Sequence, residues 1–441
     1  MLFRQFVDDD LGCASYLIGD DDSGVAVVVD PAYESERYLE QAKADGVRLV
    51  RVLETHTHAD HVSGHGRLAL DHGLPVSIHP AAEPAYEFEP IEDGHELEVG
   101  AVTIRVLHTP GHRPEHCCFA VVDRERGDEP WLTLTGDSLF VADAARPDLA
   151  SEAAHGAREL YRSLRRLLEL DDGVEIYPGH VSGSLCGTGM SSKASSTIGF
   201  ERRFNHALRT ADEDEFVADA IRTGVRPPNM DRIVELNRGP FVGSPEPIGP
   251  LNGGAGAILD VRDAEEFAAG HARGALSVPV DGGGFPTKAA FVLPSDERVV
   301  IHAESTEQAQ RAARGLRAVA VFDLAGYLVG PPNEERLPPV GLDELERLVD
   351  AGEVEVLDVR EPHERDEGYI PRSRNIPYRL VREWADDLRG GKPVVTICSN
   401  GPRAAVAASV LAAGGVNARP VMNAGVPDWK GETVSFRRCG S

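Results

Sequence analysis

An internal repeat in the second half of the 441-residue chain narrows the possible folds more than any other pattern. One copy, ILDVRDAEEFAAGHARGALSVPV, begins at Ile258, and the other, VLDVREPHERDEGYIPRSRNIPY, begins at Val356. Four residue pairs match at one constant offset, namely Asp260 with Asp358, Arg262 with Arg360, Gly270 with Gly368 and Pro279 with Pro377. In each copy strands alternate with helices, which is typical of a parallel sheet covered on both faces. The repeat therefore predicts two related α/β domains.

Two segments rich in proline and glycine divide the chain. Residues 238–257 read RGPFVGSPEPIGPLNGGAGA, and residues 329–341 read VGPPNEERLPPVG. Such segments do not hold a helix or a central strand and usually mark domain boundaries. The sequence thus predicts three domains, comprising residues 1–245, 251–332 and 341–441.

The chain is strongly acidic, with 72 Asp and Glu residues against 45 Lys and Arg and a net charge of −27. Such a chain repels phosphate backbones, so we expect no nucleic-acid partner. No apolar run approaches the roughly 18 residues of a membrane helix, and the N-terminus does not have the pattern of a secretory signal. We therefore expect no membrane partner and a cytoplasmic location. The six cysteines are too thinly spread for a disulfide framework.

Clusters of metal-ligand residues follow the predicted strands of residues 1–245. The first is the run Thr55-His56-Thr57-His58-Ala59-Asp60-His61, directly after the apolar residues 50–53. Three later motifs each end a strand: His112 in TPGH, Asp137 in TGDS and His180 in YPGH. Imidazole nitrogens and carboxylate oxygens suit zinc, iron or manganese. The residues therefore predict a metal site.

The order HTHADH, PGH, TGD and PGH resembles the metallo-β-lactamase superfamily over about residues 1–240. This resemblance implies an αββα sandwich with the metal at one edge of its two sheets. The superfamily includes zinc hydrolases such as glyoxalase II and mononuclear iron persulfide dioxygenases, so the motifs specify the fold more closely than the reaction.

The resemblance to the persulfide dioxygenases implies one Fe(II) per chain, held by His56, His112 and Asp137. Two histidines and one carboxylate leave open positions on the metal for substrate and oxygen. The remaining donors would orient these ligands or move protons: His58, Asp60, His61 and His180. In a two-zinc hydrolase the same four would complete the ligand set, with Asp137 bridging the metals. The residues by themselves permit both arrangements.

A second reactive site is predicted by the loop Cys398-Ser399-Asn400-Gly401-Pro402-Arg403. It joins the apolar residues 394–397 to an alanine-rich helix. Backbone N–H groups of a tight loop and of a helix N-terminus stabilise a thiolate, and Arg403 adds positive charge. We therefore predict that Cys398 is a nucleophile, cradled by Ser399 to Pro402.

Residues 341–435 resemble a rhodanese domain, on the segments DVREPHERDEGYIP and NAGVPDWKGETV. In that family a six-residue loop beginning at Cys accompanies sulfur transfer. The copy at 251–332 has Ala303 at the position of Cys398 and Gln308 at that of Arg403, so we expect a rhodanese-like domain without the catalytic cysteine.

These resemblances together imply a bifunctional persulfide dioxygenase and sulfurtransferase. The expected partners are a small thiol persulfide, O2, and sulfite or thiosulfate, and such enzymes are commonly homodimers or homotetramers. One alternative is a dinuclear zinc thioester hydrolase, similar to glyoxalase II, with regulatory rhodanese modules. Another is a sulfur-relay or scaffold protein whose chemistry lies in its partners.

Overall fold

A computed structural model describes residues 1–147, 152–181, 191–221, 226–253, 256–293, 297–330 and 334–435. The chain divides into two compact units. The first unit comprises Met1–Pro245 with Arg317–Ala320, and the second comprises Glu246–Leu316 with Val321–Ser441. The finer division of the sequence into three domains stays a prediction.

The first unit contains two six-stranded sheets. The first sheet runs in the order β1 (Leu2–Val7), β2 (Ala14–Asp20), β3 (Val25–Val29), β4 (Arg48–Leu53), β5 (Val76–Ile78) and β6 (Glu89–Pro90). The next four strands along the chain are β7 (Glu96–Val99), β8 (Val102–His108), β9 (Cys117–Asp123) and β10 (Leu132–Gly136). A separate hairpin then forms from β11 (Leu139–Phe140) and β12 (Asp143–Ala144). The second sheet consists of β7 to β10 together with β13 (Glu175–Pro178) and β14 (Ser196–Thr197). Its spatial order is β14-β13-β10-β9-β8-β7.

The described residues of this unit also form seven helices, namely α1 (Glu36–Ala44), α2 (His65–His72), α3 (Ala153–Leu167), α4 (Ile198–Phe204), α5 (His206–Arg209), α6 (Glu213–Ala220) and α7 (Met230–Arg238). Tyr38 and Leu68 of α1 and α2 pack in one core with the first sheet, and Leu160 and Leu164 of α3 pack in another with the second. A third core lies between the sheets, because alternate residues of each strand face the partner sheet. The expected αββα sandwich is confirmed.

The second unit contains two four-stranded sheets, one for each copy of the repeat. The first has the elements β15 (Ala257–Asp260), α8 (Ala264–Ala269), β16 (Leu276–Ser277), α9 (Phe285–Val292), β17 (Val299–Ala303), α10 (Thr306–Ala318) and β18 (Leu324–Val329). The second has α11 (Leu342–Asp350), β19 (Glu355–Asp358), α12 (Pro362–Glu367), β20 (Arg374–Asn375), α13 (Ala385–Leu388), β21 (Val394–Ile397), α14 (Pro402–Ala413) and β22 (Ala418–Pro420).

Both sheets are parallel throughout and share one strand order, β16-β15-β17-β18 and β20-β19-β21-β22. The parallel sheets predicted from the repeat are therefore confirmed. The two copies also share a hydrophobic core, and the Ser277 amide donates a hydrogen bond to Ser409 Oγ at 3.0 Å. Among the described residues of either unit, no helix combines the length and apolar character needed to cross a membrane.

Candidate metal centre and cysteine loop

Three of the predicted ligands converge at one edge of the sandwich. His56, His112 and Asp137 each follow the end of a strand, and each offers a ligand atom within 4.8 Å of the others. Asp137 Oδ2 lies 3.6 Å from His112 Nε2 and 3.9 Å from His56 Nε2. Within the described part of the chain, this buried carboxylate oxygen has no hydrogen-bond partner. An unpaired buried oxygen facing two imidazole nitrogens fits a metal cation.

A hydrogen bond at Nδ1 of each imidazole fixes the tautomer in which Nε2 carries a lone pair and can bind a metal. Thr55 Oγ1 donates to Asp30 Oδ2, so it can only accept from His56 Nδ1, 2.9 Å away. His112 Nδ1 lies 3.2 Å from the Arg146 carbonyl oxygen, which is also only an acceptor. Burial lowers the pKa of both histidines, so the rings are neutral. Each Nε2 therefore presents its lone pair to Asp137.

Two glycines make room for Asp137. Gly136 has φ +47°, and a Cβ there would lie 2.6 Å from His116 Nε2. A Cβ on Gly179 would lie 2.5 Å from Asp137 Oδ1. Substitution at Gly179 would therefore displace the carboxylate, and substitution at Gly136 would displace the imidazole that accepts from the Asp137 amide.

The other four predicted residues surround this cluster. His180 Nδ1 lies 2.9 Å from Asp137 Oδ1, and its Nε2 lies 2.8 Å from Asp60 Oδ2. Asp60 Oδ1 in turn lies 3.1 Å from His61 Nδ1. Burial opposes the charged form of His180, but Asp137 and Asp60 raise its pKa to about 10. His180 is therefore an imidazolium that links the two carboxylates.

His58 has a different set of partners. Its Nε2 lies 3.2 Å from Glu54 Oε2 and 3.3 Å from Asp30 Oδ1, both buried carboxylates. Burial opposes protonation, but these two charges raise the pKa of His58 well above its ordinary value. His58 also belongs, with Asp60 and His61, to a second group of side chains whose ligand atoms lie within 4.8 Å of one another.

Several side chains that position the site were missed by the sequence analysis. The Asp137 amide donates to His116 Nε2 at 3.0 Å, which fixes the start of the TGD turn. Asn237 of α7 donates to the carbonyl oxygens of His58 and His61 at 3.0 and 2.8 Å. Glu54 directly precedes Thr55 of the first motif, and His116 lies four residues after His112. Polar residues near a motif were therefore a usable signal. Asn237 is nearly two hundred residues downstream and offers no such signal.

The cysteine loop begins at the end of β21. Cys398 is fully buried, and the Gly401 amide donates a hydrogen bond to its sulfur at 3.1 Å. Gly401 has φ +111°, and α14 begins at the next residue. The sulfur therefore lies beside an amide at a helix N-terminus, which stabilises negative charge.

Arg403 pairs with a residue that the sequence analysis did not single out. Its Nη1 and Nη2 donate to the two carboxylate oxygens of Glu364 at 2.6 and 2.7 Å. Ser399 Oγ also donates to Glu364, at 2.9 Å. The charge of Arg403 is therefore balanced at the base of the loop, and this ion pair fixes the loop to α12.

Replacing Glu364 with glutamine is expected to lower the free energy of unfolding by about 1 to 3 kcal/mol at pH 7. Burial raises the pKa of Glu364, but hydrogen bonds from Arg403 and Ser399 outweigh it and lower the pKa to about 2. The stabilisation is complete above the unfolded-state pKa of about 4.3 and is lost as pH falls towards 2. Urea unfolding of both proteins from pH 7 to pH 2 measures this difference. Glu353→Gln, at an exposed position, is the control, and a gap that stayed constant with pH would contradict the ion pair.

The register of the sheets identifies the counterpart of Cys398 in the other copy. Asp358 of β19 pairs with Ile397, and the repeated residue Asp260 of β15 pairs with His302. The residue after Ile397 is Cys398, and the residue after His302 is Ala303. At this position of β17 there is therefore no thiol.

Known protein families match both the part of the chain that holds the candidate metal site and the two copies of the repeat. The family described as metallo-beta-lactamase superfamily matches residues 8–180. The rhodanese-like domain matches twice, at residues 248–330 and 341–432.

Similar proteins cover about half of the chain. An uncharacterized protein of Mycobacterium leprae is 34% identical over 236 residues, which is 47% of this chain and 99% of the relative. The mitochondrial persulfide dioxygenase ETHE1 of Bos taurus is 30% identical over 241 residues, 54% of this chain and 87% of the relative.

A solved structure extends the similarity further along the chain. The metallo-beta-lactamase of Staphylococcus aureus subsp. aureus COL aligns with a TM-score of 0.69 and 27% identity, over 75% of this chain and 98% of that one. The chain therefore belongs to the metallo-beta-lactamase superfamily, and its metal-site domain is followed by two rhodanese-like domains.

Proposed function

We propose that this chain is a bifunctional enzyme that oxidises a small thiol persulfide with O2 and transfers sulfane sulfur through Cys398. The oxidation is RSSH + O2 + H2O → RSH + H2SO3. The observation that carries the proposal is the unpaired Asp137 Oδ2, which faces the Nε2 atoms of two neutral histidines. The similarity to a persulfide dioxygenase supports the choice of reaction.

One Fe(II) would be held by His56, His112 and Asp137. The persulfide sulfur and oxygen would bind at its open coordination positions. The protein's own residues keep this ligand set in place. Asp30, through Thr55, holds His56 in the correct tautomer, and His180 fixes the orientation of the Asp137 carboxylate. Because His180 also contacts Asp60, a proton can be shared among Asp137, His180 and Asp60.

The partners of the surrounding residues favour one metal over two. His58 Nε2 lies between Asp30 and Glu54, and both nitrogens of His180 face carboxylates. A second metal bound to His58 and His180 would have to displace these carboxylate partners. We therefore favour mononuclear iron over the dinuclear zinc hydrolase.

Replacing His61 with alanine is expected to leave one iron bound per chain. His61 lies 3.1 Å from Asp60 and is not one of the three proposed ligands, so its loss weakens iron affinity by about 10- to 100-fold without removing a ligand. Elemental analysis after loading with excess Fe(II) measures the metal content. His155→Ala, at an exposed position, is the control. Two metals in the unaltered protein and one in His61→Ala would contradict the mononuclear site.

Sulfur transfer is supported by the loop geometry. Cys398 would carry the sulfur as a persulfide, and a thiolate would remove it: RS⁻ + Cys398–S–SH → RS–SH + Cys398–S⁻. The Gly401 amide, 3.1 Å from the sulfur, stabilises the thiolate that leaves. The absence of a thiol at Ala303 assigns this activity to the last domain alone.

The test is a comparison of two reactions in one preparation. Protein purified anaerobically and loaded with Fe(II) is given glutathione persulfide and O2, and separately a glutathione thioester. The proposal expects sulfite from the persulfide and no cleavage of the thioester. Thioester cleavage with two zinc ions bound and no oxygen uptake would overturn it in favour of a hydrolase.

A further inference from the structure

A cavity of about 480 Å³ lies between the two copies of the repeat, beside the cysteine loop. Asn400, Gly401 and Pro402 form part of its wall. Gly401 is the residue whose amide contacts the Cys398 sulfur. The cavity therefore adjoins the loop that holds the sulfur.

The opposite wall belongs to the copy without a cysteine and is acidic. It contributes four exposed carboxylates, namely Asp263, Glu265, Asp281 and Glu304. The described residues that line the cavity include no lysine, arginine or histidine.

The four carboxylates differ in their contacts. Asp281 forms an ion pair with Arg311. Glu265 instead accepts a hydrogen bond from the neutral amide of Asn423, at 2.8 Å across the cavity wall. Glu304 hydrogen-bonds to Glu266, and this contact, together with burial and the charge of Glu304, raises the pKa of the Glu266 carboxyl.

We propose that Cys398 exchanges sulfur preferentially with small thiols that carry a protonated amine, and that the copy lacking a cysteine supplies this selectivity. The proposal rests on the sulfurtransferase function proposed above and specifies its substrate class. An acidic wall raises the local concentration of cations and lowers that of anions. Thiols with several negative charges, and thiosulfate and sulfite, are therefore poor partners for Cys398.

The reaction requires no further reagent. The thiolate of the aminothiol attacks the outer sulfur of Cys398–S–SH, a new S–S bond forms, and the old one breaks to leave the Cys398 thiolate. The outer sulfur keeps its proton, so the products are the aminothiol persulfide and the resting enzyme. The ammonium group takes no part in bond formation and contributes only by its attraction to the wall.

The test uses full-length protein whose Cys398 has been loaded with inorganic polysulfide and freed of excess reagent under anaerobic conditions. The loss of the persulfide is followed by intact mass after addition of cysteamine, 2-mercaptoethanol or 3-mercaptopropionate, which are cationic, neutral and anionic. Rates are expressed per thiolate, because the thiolate is the nucleophile. The ratio of the cysteamine rate to the mercaptopropionate rate is the readout.

We expect this ratio to fall by about tenfold or more in the double variant Asp263→Asn, Glu304→Gln. Comparing one ratio between two proteins cancels the intrinsic reactivity of the thiols. Glu353→Gln with Asp386→Asn, two exposed changes in the same unit, is the matched control and should leave the ratio unchanged. Raising the ionic strength should also lower the ratio in the unaltered protein, a check that needs no variant.

The possible failures are distinguishable. If the protein loads but its ratio is the same in the double variant and at high salt, the selectivity is overturned while the sulfurtransferase function stands. If Cys398 does not load at all, the sulfurtransferase function fails and this inference fails with it.

Discussion

Replacing Asp137 with alanine is expected to remove bound iron and reduce persulfide oxidation to the background rate. Asp137 supplies the only carboxylate of the three-ligand group and is fully buried beside His56 and His112. Residues that merely hydrogen-bond to metal ligands change affinity by about 10- to 100-fold, so the loss of a ligand should exceed about a hundredfold. Iron retained after dialysis and the rate of oxygen uptake measure the two effects.

The same change should alter His180. Its pKa is raised to about 10 largely by Asp137 and Asp60, so removing Asp137 should lower that pKa. Asp128→Ala, on the exposed surface of the same unit, is the control and should keep full iron content. An Asp137→Ala protein that kept both iron and oxygen uptake would contradict the assignment of the ligands.

Replacing Cys398 with serine is expected to abolish sulfur transfer, by at least about a thousandfold, and to leave persulfide oxidation unchanged. A serine hydroxyl cannot form a persulfide. The serine and cysteine side chains are close enough in size for the loop to keep its fold. Transfer of sulfur to an acceptor thiol under anaerobic conditions measures the first activity. Oxygen uptake with preformed glutathione persulfide measures the second.

Persulfide oxidation, measured by oxygen uptake, also serves as the internal control for the folding of the Cys398→Ser protein. A Cys398→Ser protein that kept every activity would favour a scaffold role for the last domain. A protein that lost both activities would indicate that the two sites depend on each other, whereas we expect them to act independently.

The sequence indicated which candidate ligands would lie together because each of them follows a strand. In a layered fold the ends of strands meet at one edge, so His56, His112 and Asp137 come together although they are far apart in the chain. The repeat likewise predicted two parallel sheets, because matching residues such as Asp260 and Asp358 recur at one offset.

Other contacts depend on how distant segments pack, and no local pattern encodes them. Asn237 lies on a helix that was not predicted, yet it holds the backbone of the HTHADH loop. Glu364 reads as an ordinary charged residue of a short helix, and only the structure reveals its pairing with Arg403. The acidic cavity wall likewise depends on the packing of one repeat against the other.

The central claim is that residues 1–245 form an iron site that oxidises a persulfide. The most direct test is oxygen uptake by Fe(II)-loaded protein given glutathione persulfide, with sulfite quantified in the same sample. We expect one sulfite to form for each O2 consumed, and both to be lost in His112→Ala. Absence of oxygen uptake, or uptake that yields hydrogen peroxide in place of sulfite, would contradict it.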